Sequence, residues 1–331
     1  MKGMLEVQNL SRTFKLRERG LLFSATKRLK AVDGISFTVA PGEMLGIVGE
    51  SGSGKSTTAR LLLGHIPASG GEIRFGGERV SARVDANWRR MRRRMQMVYQ
   101  DPLAALDPRI PVWRQIEEPL IVRRPELPAA DRSALVAEMM EQIGLLAHHG
   151  NRYPHEMSGG QRQRVIIARA LVTDPELLVF DEPVSALDVS VQAQVLNVLE
   201  DIRTRSGFTG VFVSHDLKVI RQIAERVAVM YLGRIVEIGD VDDIFSNPAH
   251  PYTRALVSAV PVPGRSRRSR IVLNGDPPSA IDMPRGCPFH TRCPEMRAAC
   301  RSIRPELVGK GGRAAACHLV NNPSLSGMEA V

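Results

Sequence analysis

At 331 residues the chain exceeds one ordinary core and suits a large domain with a smaller companion, and its 43% apolar content is that of a globular protein, not a disordered one. No apolar run nears the ~20 residues that cross a bilayer, and the opening MKGMLEVQNL lacks the apolar heart of a secretory leader, so a cytoplasmic setting is expected. Lys and Arg number 45 against 35 Asp and Glu, net +10, a balance that admits nucleic acid, anionic lipid or nucleotide as partner without choosing among them.

In chain order, LEVQNL (5–10) alternates like a half-buried strand. Phe14 follows it and could stack on a nucleotide base, although a lone ring at a strand end is more simply a core aromatic. RERGLLFSATKRLKAVDG (17–34) shows little periodicity and reads as a basic loop, and ISFTVAPGEMLGIVG (35–49) gives two strands hinged at Pro41 and Gly42.

GESGSGKST (49–57) then fits G-x-x-x-x-G-K-[ST] in composition, spacing and flanks. An apolar run, LGIVG, feeds it, and TTARLLLGH leaves it as an amphipathic helix. Gly49, Gly52 and Gly54 let backbone N–H groups turn toward an anion at a helix N-terminus. Lys55 is placed to reach β- and γ-phosphates and the Ser56 hydroxyl to ligate Mg²⁺. The bland alternative is a glycine turn with a solvated lysine, which the two flanks disfavour.

GGEIRFGGERV (70–80) reads as a hairpin, RRMRRRM (89–95) as a solvated basic face without interleaved aromatics, and MQMVYQD (95–101) as a strand ending near Tyr99 and Gln100. From 102 to about 171 the period becomes helical, notably in ALVAEMMEQIGL and GGQRQRVIIARAL, a helical insertion within an α/β core. LLVFD (177–181) is a near-continuous apolar strand ending in Asp181 and Glu182, where open parallel sheets hold ligand groups. Asp181 suits a Mg²⁺ site and Glu182 the polarisation of an attacking water. After the amphipathic helix VSVQAQVLNVLEDIR (189–203), GVFVSHD (210–216) sets His215 at the end of another buried strand, able to donate to a γ-phosphate or hold the water.

MSGGQRQR (157–164) offers the Ser158 hydroxyl and the bare backbone of Gly159 and Gly160 at a helix start, suited to a second phosphate contact. This run resembles the signature of ATP-binding-cassette ATPases, with Met157 replacing the usual Leu, and the resemblance covers most of residues 4–262 in the family's order. Phe14 is similar to the base-stacking aromatic. Gly49, Ser51, Gly52, Ser53, Gly54, Lys55, Ser56 and Thr57 match the phosphate loop, and Gln100 the glutamine that senses the γ-phosphate beside Mg²⁺. Ser158 to Gln161 match the signature, Asp181 and Glu182 the acidic pair, SALD (185–188) the dimer-contact loop and His215 the switch histidine.

The resemblance implies an α/β P-loop ATPase core over 1–262, with an antiparallel β subdomain and the helical insertion, and a small cysteine-bearing extension over 263–331. It implies a dimer that closes head to tail on two ATP molecules, each signature completing the other subunit's site. FSNPAHPYTRALVSAVP (245–261) and GDPPSAIDMPRGCPFHTRCP (275–294) resemble the C-terminal extension of bacterial peptide and nickel importers, and GLLF (20–23) is similar to a segment of the F-type subunit. The partners implied are a second related ATPase subunit, two membrane-spanning permease subunits and a solute-binding protein, at the cytoplasmic face of the inner membrane. No nucleic acid is expected. The rivals are a soluble cassette ATPase acting on nucleic acid or ribosomes, an exporter ATPase, and a P-loop kinase, in which MSGGQ and SALD have no place.

Cys287, Cys293, Cys300 and Cys317 lie together in the tail, spaced C-x5-C-x6-C-x16-C. A cytosolic setting disfavours disulfides. All-thiolate ligation suits an iron–sulfur cluster or zinc, with His290 and His318 as substitute zinc ligands, and some members of this transporter group carry a [4Fe–4S] cluster on such a tail. Free thiols are the third reading. GRSRRSR (264–270) reads as a solvated linker, with contact to anionic lipid as its alternative.

Overall fold

A computed structural model describes residues 3–19, 24–260 and 270–321, whose strands form two sheets. The smaller has the order β2-β1-β4-β5, all neighbours antiparallel: β1 is Leu5–Arg19, β2 Ser24–Val39, β4 Gly70–Phe75 and β5 Glu78–Arg79. The larger is eight-stranded, β11-β12-β10-β9-β3-β8-β7-β6. Its parallel centre is made of β3 (Met44–Val48), β6 (Met95–Val98), β7 (Leu177–Asp181), β8 (Thr209–Ser214) and β9 (Arg226–Tyr231). β10 (Arg234–Asp240), β12 (Arg313–Ala315) and β11 (Val308–Lys310) continue it antiparallel, so the C-terminal extension supplies one edge of the core sheet.

The central strands read as unbroken apolar runs because both faces are covered. Leu178 and Phe180 of β7 point into one core, Leu177 and Val179 into the other. Each fully buried side chain such as Phe180 contributes roughly 2–3 kcal/mol. α1 (Lys55–Leu62) packs on the side of the small sheet, while the helical insertion packs on the opposite face. α2 (Ala86–Arg94) precedes the insertion, which holds α3 (Pro102–Ala105), α4 (Val112–Arg123), α5 (Ala129–Gln142) and α6 (Gly159–Leu171). α7 (Val189–Ser206), α8 (Leu217–Ile223), α9 (Val241–Ser246) and α10 (Pro251–Ser258) follow, and α11 (Ala298–Ser302) and α12 (His318–Asn321) lie in the extension. No helix of the described residues is long and apolar enough to cross a membrane.

One expectation changes and another holds. The basic stretch after residue 16 is not a loop: β1 and β2 pair as far as Arg19 with Ser24, well past the point where β4 leaves β1 at Ser11. Beyond that point the ribbon has no sheet neighbour, and Lys15, Leu16, Lys27 and Arg28 are exposed, so the period-2 signal of a half-buried strand is missing. GLLF (20–23) and residues 264–269 lie outside the described residues. The basic run 89–95 is mostly helical, capped by Asp85, whose carboxylate accepts from the Trp88 N–H. Met91 alone of α2 is buried, and Arg90 and Arg94 pair with Glu78 and Glu176, the solvated basic face that the sequence suggests.

Candidate active site

β3 ends at Val48, and the loop that follows delivers the chain into α1. Gly54 caps that helix at φ 102°, left-handed backbone that favours glycine. A Cβ there would stand 2.2 Å from the Ala31 carbonyl oxygen, and one at Gly49 equally close to that of Met230, so bare backbone must line the loop. The first-turn N–H groups of α1 have no carbonyl within the helix, and the helix dipole adds positive potential there. The Ser53 hydroxyl is buried without a partner, while Ser51 and Gly52 face solvent.

Lys55 is 4% exposed, its ammonium donating to the carbonyls of Gly49 (2.8 Å) and Glu50 (3.0 Å). Burial lowers its pKa, opposed by the charges of Glu182, Asp181 and Glu50. Ser56 Oγ donates to Asp181 Oδ1 at 2.7 Å, and burial raises the Asp181 carboxyl, with the Ser56 hydrogen bond opposing. A buried carboxylate beside a hydroxyl, with an unpartnered serine in the loop, fits a Mg²⁺–nucleotide: the oxygens suit a hard cation whose remaining ligands are phosphates and water.

The carboxyl ends of β6, β7 and β8 lie side by side and bring Gln100, Glu182 and His215 together. His215 Nδ1 stands 2.9 Å from Glu182 Oε2, to which Gln100 Nε2 donates at 3.3 Å. Glu182 has φ 49°, a left-handed conformation strained for a side-chain-bearing residue, and its N–H donates to the Val213 carbonyl of β8 at 3.0 Å. The strain turns the carboxylate out of the β7 line toward its partners.

Ser158 lies elsewhere. It caps α6 through a reciprocal box, Gln161 N–H to Ser158 Oγ at 3.2 Å and Ser158 N–H to Gln161 Oε1 at 3.0 Å. Gly159 abuts Leu187, a Cβ at Gly160 would stand 2.4 Å from Val191, and Met157 is buried as an apolar anchor. The signature therefore sits with the SALD segment, and no hydrogen bond among the described residues ties it to the phosphate loop. Phe14 belongs to neither core; it is half-buried with the Arg12 guanidinium 4.5 Å from its ring centroid.

Among the described residues, no group of three or more His, Cys, Asp or Glu side chains is arranged to hold a metal ion, so the cluster and zinc expectations find no support. Cys287, Cys300 and Cys317 are buried and Cys293 is half-buried, and burial, with the neighbouring thiols adding, pushes Cys287 up to about 11 and Cys293 up to about 12. His290 and His318 each commit a ring nitrogen to a backbone carbonyl, of Cys287 and Ile303. Sequence reasoning missed Glu50, Tyr252 and Arg292. Arg292 grips the Glu50 carboxylate with both terminal nitrogens, at 2.8 and 3.2 Å, across 242 positions; only the charge inside the loop hinted at a partner.

Fold and site together define a P-loop nucleotide-binding protein. The ABC transporter family matches residues 32–185, and the family described as oligopeptide/dipeptide transporter, C-terminal region, matches 236–300. The oligopeptide transport ATP-binding protein OppF of Salmonella typhimurium is 46% identical over 320 residues, 96% of each chain. AppF of Bacillus subtilis is 44% identical over 321 residues, 96% of this chain and 97% of that one. The dimeric ATP-binding cassette MJ0796, in a post-hydrolysis state bound to ADP and Pi, superposes with a TM-score of 0.64 at 28% identity, covering 72% of this chain and 99% of that one. The chain belongs to the ABC transporter ATP-binding family, in the group that carries the oligopeptide-transporter C-terminal region.

Proposed function

We propose that this chain is the ATP-hydrolysing subunit that energises peptide import through a membrane transporter. The observation that carries the reading is the convergence of Gln100 and His215 on Glu182, beside the Ser56–Asp181 pair at the mouth of a glycine phosphate loop. Relatives named as oligopeptide transport ATP-binding proteins align over nearly the whole chain, and their names supply the peptide.

Lys55 and the first-turn N–H groups of α1 hold the phosphates, and Lys55 exchanges its two carbonyl partners for phosphate oxygens. Ser56 and Asp181 would hold Mg²⁺, assisted by Gln100, and the chemistry it would supply is neutralisation of phosphate charge. Glu182 aligns the attacking water, and His215 holds the Glu182 carboxylate in place. Phe14 stacks on the base. Ser158, Gly159, Gly160 and Gln161 complete the site of a facing subunit, which is why they stand apart from the phosphate loop of their own chain. A head-to-tail pair, with a second homologous ATPase more in keeping with this group than a homodimer, therefore closes on ATP.

A groove of about 500 Å³ runs beside Gln100 and Asp181 to Pro119 and Arg123 of α4 and Arg169 of α6. It connects the nucleotide to the helical insertion, the part that pushes on two permease subunits at the cytoplasmic face of the membrane, while a solute-binding protein supplies the peptide. Residues 1–262 act as the ATPase unit and 263–331 as its C-terminal extension. The thiols serve as packing groups, three of them buried; stoichiometric iron with acid-labile sulfide in the purified chain would return the cluster in their place. Purification from detergent-solubilised membranes with this subunit as bait tests the assembly. Two permeases and a second ATPase are expected, and ribosomal proteins or nucleic acid without permeases would overturn the reading.

A further inference from the structure

The C-terminal extension reaches into the phosphate loop. Phe289, 1% exposed, packs its ring against Tyr231 (5.4 Å between centroids), Tyr252 (5.4 Å) and His250 (5.6 Å), which anchors the turn His290–Arg292 on the core. That turn aims Arg292, whose side chain is 7% exposed, at Glu50 in a two-pronged ion pair. Tyr252 holds the same residue from the other side, its hydroxyl oxygen accepting the Glu50 N–H at 3.0 Å. The Glu50 carbonyl accepts from Lys55, so carboxylate, amide and carbonyl of one loop residue are all engaged.

Glu50 is a carboxylate set in a loop whose backbone turns toward anions. Uncompensated, it would repel the bound triphosphate and compete for Lys55. Paired with a guanidinium in fork geometry, its charge is neutralised and its position fixed.

We infer that Arg292 is a positioning residue for nucleotide binding: acting through Glu50, it makes the C-terminal extension a working part of the ATP site. The inference rests on the ATPase reading and deepens it. Removing Arg292 leaves the Glu50 charge uncompensated in the phosphate loop, where it already acts on Lys55, whereas removing both charges together abolishes the repulsion.

The test is titration of the full-length chain with MgATP, alongside thermal melting. Arg292→Ala is expected to weaken ATP binding roughly tenfold, the scale of one uncompensated like charge near the phosphates. Adding Glu50→Gln to it is expected to restore most of that affinity, and Arg292→Lys, which keeps the charge without the fork, to fall between. A contact that only stabilises the fold would lower the melting temperature of Arg292→Ala and leave its ATP affinity unchanged, which overturns the inference. A double variant no better than Arg292→Ala alone also overturns it. An unmodified chain that bound no ATP would remove the ATPase reading itself.

Discussion

At the scale of single residues, Glu182 decides between binding and turnover. Its left-handed backbone and its contacts from Gln100 and His215 leave little freedom in the carboxylate, as expected of a group that must align water. Glu182→Gln keeps the shape and both neighbours while removing the basic oxygen. ATP binding is expected to persist while hydrolysis falls by roughly 10² to 10⁴, and a phosphate-release assay with parallel nucleotide binding checks both. Full turnover in this variant would take the role away from Glu182. The site was legible here because its chemistry is local in sequence or lies at strand ends: the glycine loop, the acids after LLVFD and the histidine after GVFVS each announce themselves. Arg292 was not legible, because a lone arginine between two cysteines carries no pattern and its partner is far away in the chain.

At the scale of elements, the extension is built on one aromatic anchor and a group of thiols, three of them buried. Phe289→Ala opens a cavity among Tyr231, Tyr252 and His250 and is expected to cost about 3 to 5 kcal/mol, read from urea unfolding. The thiols should be slow. With Cys287 pushed up to about 11 by burial, its thiolate at pH 8 is about one part in a thousand. Alkylation of Cys287 and Cys293 by iodoacetamide is accordingly expected to lag far behind that of the urea-unfolded chain, and equal rates in the two states would contradict the burial. Clustered cysteines suggest a metal centre in the sequence, and the four thiols do lie near enough for their neighbours to raise Cys287 and Cys293, but among the described residues no group of three or more is arranged to hold an ion. The hairpin arm of β1 and β2 is hidden for the opposite reason: neighbouring side chains such as Lys15 and Leu16, or Lys27 and Arg28, are exposed alike and leave no alternation for a pattern to detect.

At the scale of the whole molecule, a parallel sheet with two buried faces carries the strand-end residues, and the extension closes one edge of that sheet. This central sheet was the most legible part of the fold, since unbroken apolar runs of about five residues bounded by turns have few other homes. Its joins to the extension were not, because β11 and β12 are short and only partly apolar. Two histidines make global stability sensitive to acid. Burial, with Arg254 adding, lowers His250 to about 3, and burial, with Arg92 and Arg60 adding, lowers His65 to about 4. Both rings are neutral in the fold and titrate near pH 6.5 in the unfolded chain, so the stability they support is present above about pH 6.5 and drains as pH falls toward 4 and then 3. The melting temperature is expected to drop from pH 6.5 to 4.5, and less steeply in His250→Asn, which keeps an acceptor for the Tyr252 N–H.

The most direct measurement of the central claim is uptake of a labelled short peptide into proteoliposomes that hold the co-purified complex, with ATP inside or outside and with this subunit unmodified or carrying Glu182→Gln. Uptake that requires ATP on the face bearing this subunit, and that the Glu182→Gln variant abolishes, is the predicted result. ATP hydrolysis that proceeds with no peptide movement, or peptide movement undiminished by the variant, would contradict it.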